Sequence, residues 1–329
     1  MKIAKQILKI TGRVLLAIFA LLLFIWLLIQ TSPVQNFIIG KITARLSKDL
    51  HTEVRIKHVS LSLFDKLNLE GTLIKDHQHD TLLYAGAVKV RITDWFFFRK
   101  NIVVKYAGLE DAVIHLHRSD SVWNYGFIVD YFSSSDTATT TKNATASPSK
   151  PIQFGLEKVD LKNVSFIQND EWLGQKIEGQ VGSLLLQADS INIGKNKFFI
   201  SSIDIDKPLF ALYDFDGLRP DSLQPKSVDT GLYFNGSGLQ LRVKKINITN
   251  GAFISEREDS LPVNSYFDGK HIHINKLNGN IQNFSFLQDT IVANVDLSAH
   301  ERSGFELRKL KALFRLTPQM MEFKQLDLR

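Results

Sequence analysis

The chain has 329 residues, enough for a sizeable core, with a formal charge of +6 and no cysteine. The missing cysteines exclude a disulfide framework, a thiolate zinc site and a Cys nucleophile. Residues 1–60 hold nine Lys/Arg against two Asp/Glu while the rest holds 31 against 32, so the basic balance is N-terminal and no nucleic-acid partner is expected.

Lys2, Lys5, Lys9 and Arg13 precede an uncharged apolar run from Val14 to Ile29 that includes Leu15, Leu22, Phe24 and Trp26. Extended back to Ile10, it reaches about 30 Å as a helix, the thickness of a hydrocarbon core. A cleaved signal peptide would have a shorter apolar stretch and an A-x-A-like site after it. Gln30-Thr31-Ser32-Pro33 offers no such site. Residues 1–30 therefore read as an uncleaved anchor, with the N-terminus cytoplasmic and the body across the membrane. Over 31–50, Val34, Phe37, Ile38, Ile42 and Leu46 form one apolar stripe opposite Gln35, Lys41, Arg45 and Lys48. This predicts an amphipathic helix, on the membrane surface or packed on a sheet.

From Val54 onward the period changes to two. Val88, Val90 and Ile92 alternate with Lys89, Arg91 and Thr93, and Val159 and Leu161 with Lys158, Asp160 and Lys162. The same holds for Leu239 and Leu241, for Ile272 and Ile274, and for Ile291, Ala293, Val295 and Leu297. Each run predicts an antiparallel strand with one apolar and one polar face. A loose motif recurs at Leu109–Leu116, Leu161–Phe166 and Ile248–Phe253, with Asp111, Asn163 and Asn250 at a kink that tolerates left-handed backbone. Longer strand pairs recur at steps of about 90 residues, as in successive meanders. The only helical pattern after Leu50 is around Pro318–Met321.

Residues 133–151 (SPSK and preceding Ser/Thr/Ala) hold no apolar residue larger than Ala, which predicts a flexible linker between a β unit at 51–132 and a longer one at 152–329. The apolar pattern continues to Leu328, as though the chain were the front of a longer protein.

No phosphate-binding loop, zincin or nucleophile-elbow motif occurs, and no enzyme activity, cofactor or metal is expected. The pairs His77/His79, His115/His117 and His271/His273 have a usable metal-ligand spacing but alternate against apolar residues, which predicts a solvated polar face. What remains is a long sheet with one apolar face. It must close, pack on a second sheet, or curl into a groove that holds something apolar.

Thr31-Ser-Pro-Val-Gln-Asn-Phe37 and Val54-Arg-Ile-Lys-His-Val-Ser-Leu-Ser-Leu-Phe64 resemble the opening of AsmA-like proteins. Thr81-Leu-Leu-Tyr-Ala85, Arg91-Ile-Thr-Asp-Trp95, Gly108-Leu-Glu-Asp-Ala112 and Arg118-Ser-Asp-Ser-Val-Trp-Asn-Tyr125 are similar to the N-terminal region of TamB-type translocation and assembly module proteins. The resemblance implies a mainly β fold: a transmembrane helix, a short amphipathic helix, then an elongated antiparallel sheet curled into a β-taco-like apolar groove. It also implies an inner-membrane anchor, a periplasmic body, and phospholipid transport or outer-membrane protein assembly. Val88, Val90, Ile92, Val159, Leu161, Leu239, Leu241, Ile272, Ile274, Ile291, Val295 and Leu297 are the candidate groove residues. An Omp85-type partner would be engaged through a C-terminal domain that has no counterpart here.

Overall fold

The computed structural model describes residues 24, 31–62, 66–92, 102–133, 152–223, 233, 235–263 and 266–329. The predicted span, with Val14, Leu15, Leu22, Trp26 and Ile29, lies outside them apart from Phe24, and so does the predicted linker apart from Ser133. No helix among the described residues is long and apolar enough to cross a membrane.

Helix α1 (Ser32–Leu50) carries Pro33 in its first turn, where the missing N–H would have no partner anyway. It stops at His51, left-handed with φ 54°, whose N–H returns to the Ser47 carbonyl. Ser47 then fastens the first strand, because its hydroxyl accepts the Val54 N–H at 2.9 Å. The helix packs along β1 (Val54–Arg55) and β2 (His58–Ser62). Gln35 and Leu50 are buried, whereas Phe37 is 68% exposed and Ile42 46%. Of the predicted stripe, Phe37 and Ile42 thus face outward while Val34 and Leu46 are half-buried. A helix lying along an edge strand buries only a narrow strip, and Phe37 and Ile42 lie outside it.

The strands that follow are β3 (Lys66–Lys75), β4 (Thr81–Ile92), β5 (Ile102–Arg118), β6 (Ile152–Asp170), β7 (Gln175–Asn192), β8 (Lys197–Asp206), β9 (Leu209–Asp214), β10 (Gln240–Arg257), β11 (His271–Leu287), β12 (Thr290–Glu301), β13 (Glu306–Thr317) and β14 (Met320–Leu328). All belong to one sheet that follows chain order. β1 and β2 share the position beside β3, and β8 and β9 share the position between β7 and β10. The protein is mainly β.

The predicted purely antiparallel order is corrected at two joins. β5 pairs with β6 in parallel, and β10 pairs in parallel with both β8 and β9. Parallel neighbours need a crossover of a dozen or more residues, and residues 119–151 and 215–239 supply it. The sheet is therefore three antiparallel meanders, β1–β5, β6–β9 and β10–β14, joined side by side. Their first strands begin at Val54, Ile152 and Gln240, matching the predicted spacing. Two local readings change. Pro318 and Gln319 form the β13–β14 turn, where Thr317 accepts the Met320 N–H at 3.1 Å. A short helix α2 (Gly126–Ser133) follows β5.

Candidate functional site

Cross-strand register gathers the apolar residues into rows. One row runs Val59, Leu69, Val88, Leu109, Leu161, Leu184, Ile205, Ile248, Gly279, Leu297, Leu310, Leu328, each paired with the next. The next row runs Leu67, Val90, Ala107, Val159, Leu186, Ile203, Ile246, Ile281, Val295, Ala312. Together they form one apolar face that spans the sheet from edge to edge.

A period of two cannot hold such a face along strands this long unless each strand corrects its phase at the same place. The kink residues do this. Asp111 (φ 50°), Asn163 (φ 51°) and Asn250 (φ 51°) are left-handed, and each breaks its own strand's alternation by one residue at the same level. The pairing of β5 with β4 and β6, of β6 with β7, and of β10 with β8 and β9 therefore keeps its register there, and the strands turn together along one bulge line. The apolar side chains therefore step by three there, from Leu109 to Ala112 and from Leu161 to Val164. The bulge line continues through Gly71 (φ 60°) and Lys207 (φ 49°), and it passes Gly86 opposite Asp111. Gly86 leaves only 3.1 Å for a Cβ against the Asp111 Cβ, so the line is crowded and takes its smallest residue there. Ala85, Ala112 and Val164 form the buried cluster along this line, against Val88, Leu109, Leu161 and Val181.

No second sheet is present among the described residues to cover the apolar face. Ala85, Ala112 and Ala293 are buried, and so are Val59, Val164, Val243 and Ile200, while Val88, Leu161, Val295 and Leu297 are only half-buried. Toward the last meander the face forms a wholly apolar cavity of about 260 Å³, lined by Ile281, Phe284, Ile291, Ala293, Val295, Leu297, Leu310, Phe314 and Phe323. The exposed Asn294 and Asp296 alternate with Ala293, Val295 and Leu297 on β12, on the opposite face.

The predicted groove residues are distributed accordingly. Val88, Val90, Val159 and Leu161 lie in the two rows of the first and second meanders. Ile291, Val295 and Leu297 line the cavity. Leu241 joins a further row with Phe198, Phe286 and Ile291, and Leu239 just precedes β10. Ile274 pairs with Phe253 beyond the bulge line, and Ile272 lies two residues further on, away from the cavity. Ile92, the end of β4, pairs with Val104. Leu310, Phe314 and Phe323 were legible in the same alternation but stand outside the candidate set.

The histidine reading is corrected at His271 alone, which is 2% exposed rather than solvated because Glu256 and Ser260 close on its ring; His77 and His79 are exposed, and His115, His117 and His273 partly so. Glu256 accepts hydrogen bonds from both His271 and His273. Burial raises the Glu256 carboxyl, yet the two imidazole contacts outweigh it and hold its pKa below the ordinary value. Ser260 Oγ stands 3.1 Å from His271 Nε2, a serine–histidine–glutamate order. Ser260 Oγ is equally close to Asp259, and the adjoining cavity of about 340 Å³ is lined by Asp214, Asp216, Glu258 and Asp259 with Arg257. That wall would repel a developing oxyanion. The cluster is a structural clasp: Arg302 closes it by donating to the His271 carbonyl at 2.8 Å. Among the described residues no group of three or more His, Asp or Glu is placed to hold a metal ion.

Compared with known proteins, the chain matches no protein-family model and no curated protein sequence.

Proposed function

We propose that this protein is a membrane-anchored scaffold whose sheet curls into a groove for the acyl chains of phospholipid, carrying lipid between the inner and outer membranes. The observation that carries the reading is the apolar face itself, kept in phase across every meander by the bulge line and left with its large side chains half-buried. A face meant only for packing would be matched by a second layer and would bury its Leu, Ile and Phe fully. The resemblance to the N-terminal region of TamB-type proteins supports the same function. So does the apolar run after Lys2, Lys5, Lys9 and Arg13, which orients the anchor with the body in the periplasm. In this reading the scaffold works by shielding rather than by chemistry, and an Omp85-type outer-membrane protein would be its distant partner.

The test is lipid recovery. The full chain, extracted in neutral detergent and washed extensively, should release phospholipid on denaturation, measured by mass spectrometry. A protein free of lipid, with no uptake of a fluorescent phospholipid, would leave only a structural β-domain. A reporter active only in the periplasm, fused after Arg329, should be active. Its inactivity would overturn the orientation.

A further inference from the structure

A second cavity, of about 450 Å³, opens where the first meander meets β6, among Lys66, Asn68, Lys89, Arg91, Tyr106 and Lys158, with Ser60, Leu67 and Val90 also in its lining. Lys66, Arg91, Tyr106 and Lys158 are successive cross-strand partners on β3, β4, β5 and β6, so their side chains stand in one row. Like charges set directly across strands repel unless something neutralises them. The neighbouring carboxylates do so only in part. Glu110 takes Lys89 at 2.7 Å and Lys162 at 3.1 Å, which holds its pKa below the ordinary value. Glu70 is engaged by the Asn68 amide at 2.9 Å, and Asp160 adds one more negative charge nearby. Among the described residues Lys66, Arg91 and Lys158 have no carboxylate partner; Lys158 Nζ lies 5.8 Å from the centre of the Tyr106 ring. The ring itself is laid over Gly108, where a Cβ would stand 2.7 Å from its hydroxyl.

The cavity also has a defined place. The C-terminus of α1 is tied to Val54, and the helix packs along both β1 and β2. Its 19 residues, about 28 Å long, therefore run back beside β2 toward the end of the sheet that carries Ser62 and Lys66. The N-terminus of α1, which follows the apolar run, points to the cavity end.

We infer that this cavity binds the phosphate of an anionic phospholipid headgroup at the membrane surface, seating the first meander on the bilayer. The inference rests on the anchored reading above. Lys66, Arg91 and Lys158 supply charge-assisted donors, and the Tyr106 hydroxyl supplies a neutral one.

The test is calorimetric titration of the full chain in neutral detergent with dihexanoyl phosphatidylglycerol, dihexanoyl phosphatidylcholine and inorganic phosphate. Phosphatidylglycerol should bind most tightly. Arg91→Gln with Lys158→Gln, and separately Lys66→Gln on an exposed side chain, should weaken it by about tenfold or more. Lys244→Gln, whose amine pairs with Asp189 at 2.8 Å elsewhere on the sheet, should leave it unchanged. Equal binding by all variants, or equal loss with Lys244→Gln, overturns the site. Inorganic phosphate binding as tightly as the lipid overturns the headgroup assignment. Val295→Asp separates the two readings: it should keep this binding while acyl-chain uptake falls, so each can fail without the other.

Discussion

At the residue scale, β12 gives the sharpest experiment, because Val295 and Asn294 are neighbours on opposite faces. Val295→Asp places a carboxylate in an apolar cavity, where the acyl chains of the proposed lipid could not solvate it. While the cavity stays open to water, the fold should survive with a small loss of thermal stability, and lipid co-purification should drop severalfold. Outright unfolding would mean a sealed core, where an unpaired carboxylate costs several kcal/mol of a total of about 5–15. Asn294→Asp should change neither quantity. Gly279 is a second such position. The place of its missing side chain is taken by Leu297, whose Cδ2 would clash with a Cβ there, with the Asp296 carbonyl at 3.1 Å. Gly279→Val should lower the melting temperature through overpacking worth about 1–3 kcal/mol. An unchanged melting temperature would show that Leu297 has room to turn away.

At the element scale, the bulge line decides whether a strand keeps its apolar side chains on one face. A single slip in phase would turn every residue beyond it to the other side. The left-handed residues therefore matter more than any single apolar contact. Asn250→Val should destabilise by about 1–2 kcal/mol, because a β-branched side chain resists positive φ, whereas Asn250→Gly should fall within about 0.5 kcal/mol of the native chain. Thermal unfolding of both separates backbone strain from lost polarity, and equal losses would contradict the bulge account. The kinks were legible in the sequence, since Asp111, Asn163 and Asn250 each follow an apolar alternation and precede a small or apolar residue. Their alignment into one line was not, because it depends on register between strands up to 52 residues apart, as between Asp111 and Asn163. The parallel joins were hidden for the same reason. Alternation is identical whichever way a neighbour runs.

At the scale of the whole molecule, the meanders are held together by charge as well as by apolar rows. The first parallel join is closed by Arg118 and Asp170, with Arg118 Nε and Nη2 donating to the carboxylate at 2.8 and 2.7 Å. Burial raises the Asp170 carboxyl, but the Arg118 bonds and the Leu173 N–H overcome it and leave its pKa below the ordinary value. Glu256 and Glu301 are depressed in the same way, by the imidazoles and by Ser303 respectively against burial. A depressed carboxyl contributes its full stability above its unfolded value, about 4, and loses it as pH falls through the lower folded value. Stability should therefore hold from pH 7 to about 5 and fall below about 4, followed by circular dichroism against pH. Asp170→Asn should remove part of that acid dependence and cost about 3 kcal/mol, because it leaves Arg118 half-buried without its anion. A variant as stable as the native chain would show that the pair contributes no net free energy to the join.

The sequence by itself determined the strand content, the apolar face, the kink residues and the absence of familiar catalytic motifs, since each depends on the identity and spacing of near neighbours. Only the tertiary structure decided which strands lie side by side, that two of the joins are parallel, that Phe37 and Ile42 face outward, and that His271 is enclosed by Glu256, Ser260 and Arg302. The same holds for the row of Lys66, Arg91, Tyr106 and Lys158, residues scattered over more than ninety positions. Local periodicity sets which side of a strand is apolar. Register between distant segments, fixed by backbone hydrogen bonds and by where each bulge falls, sets what that side meets.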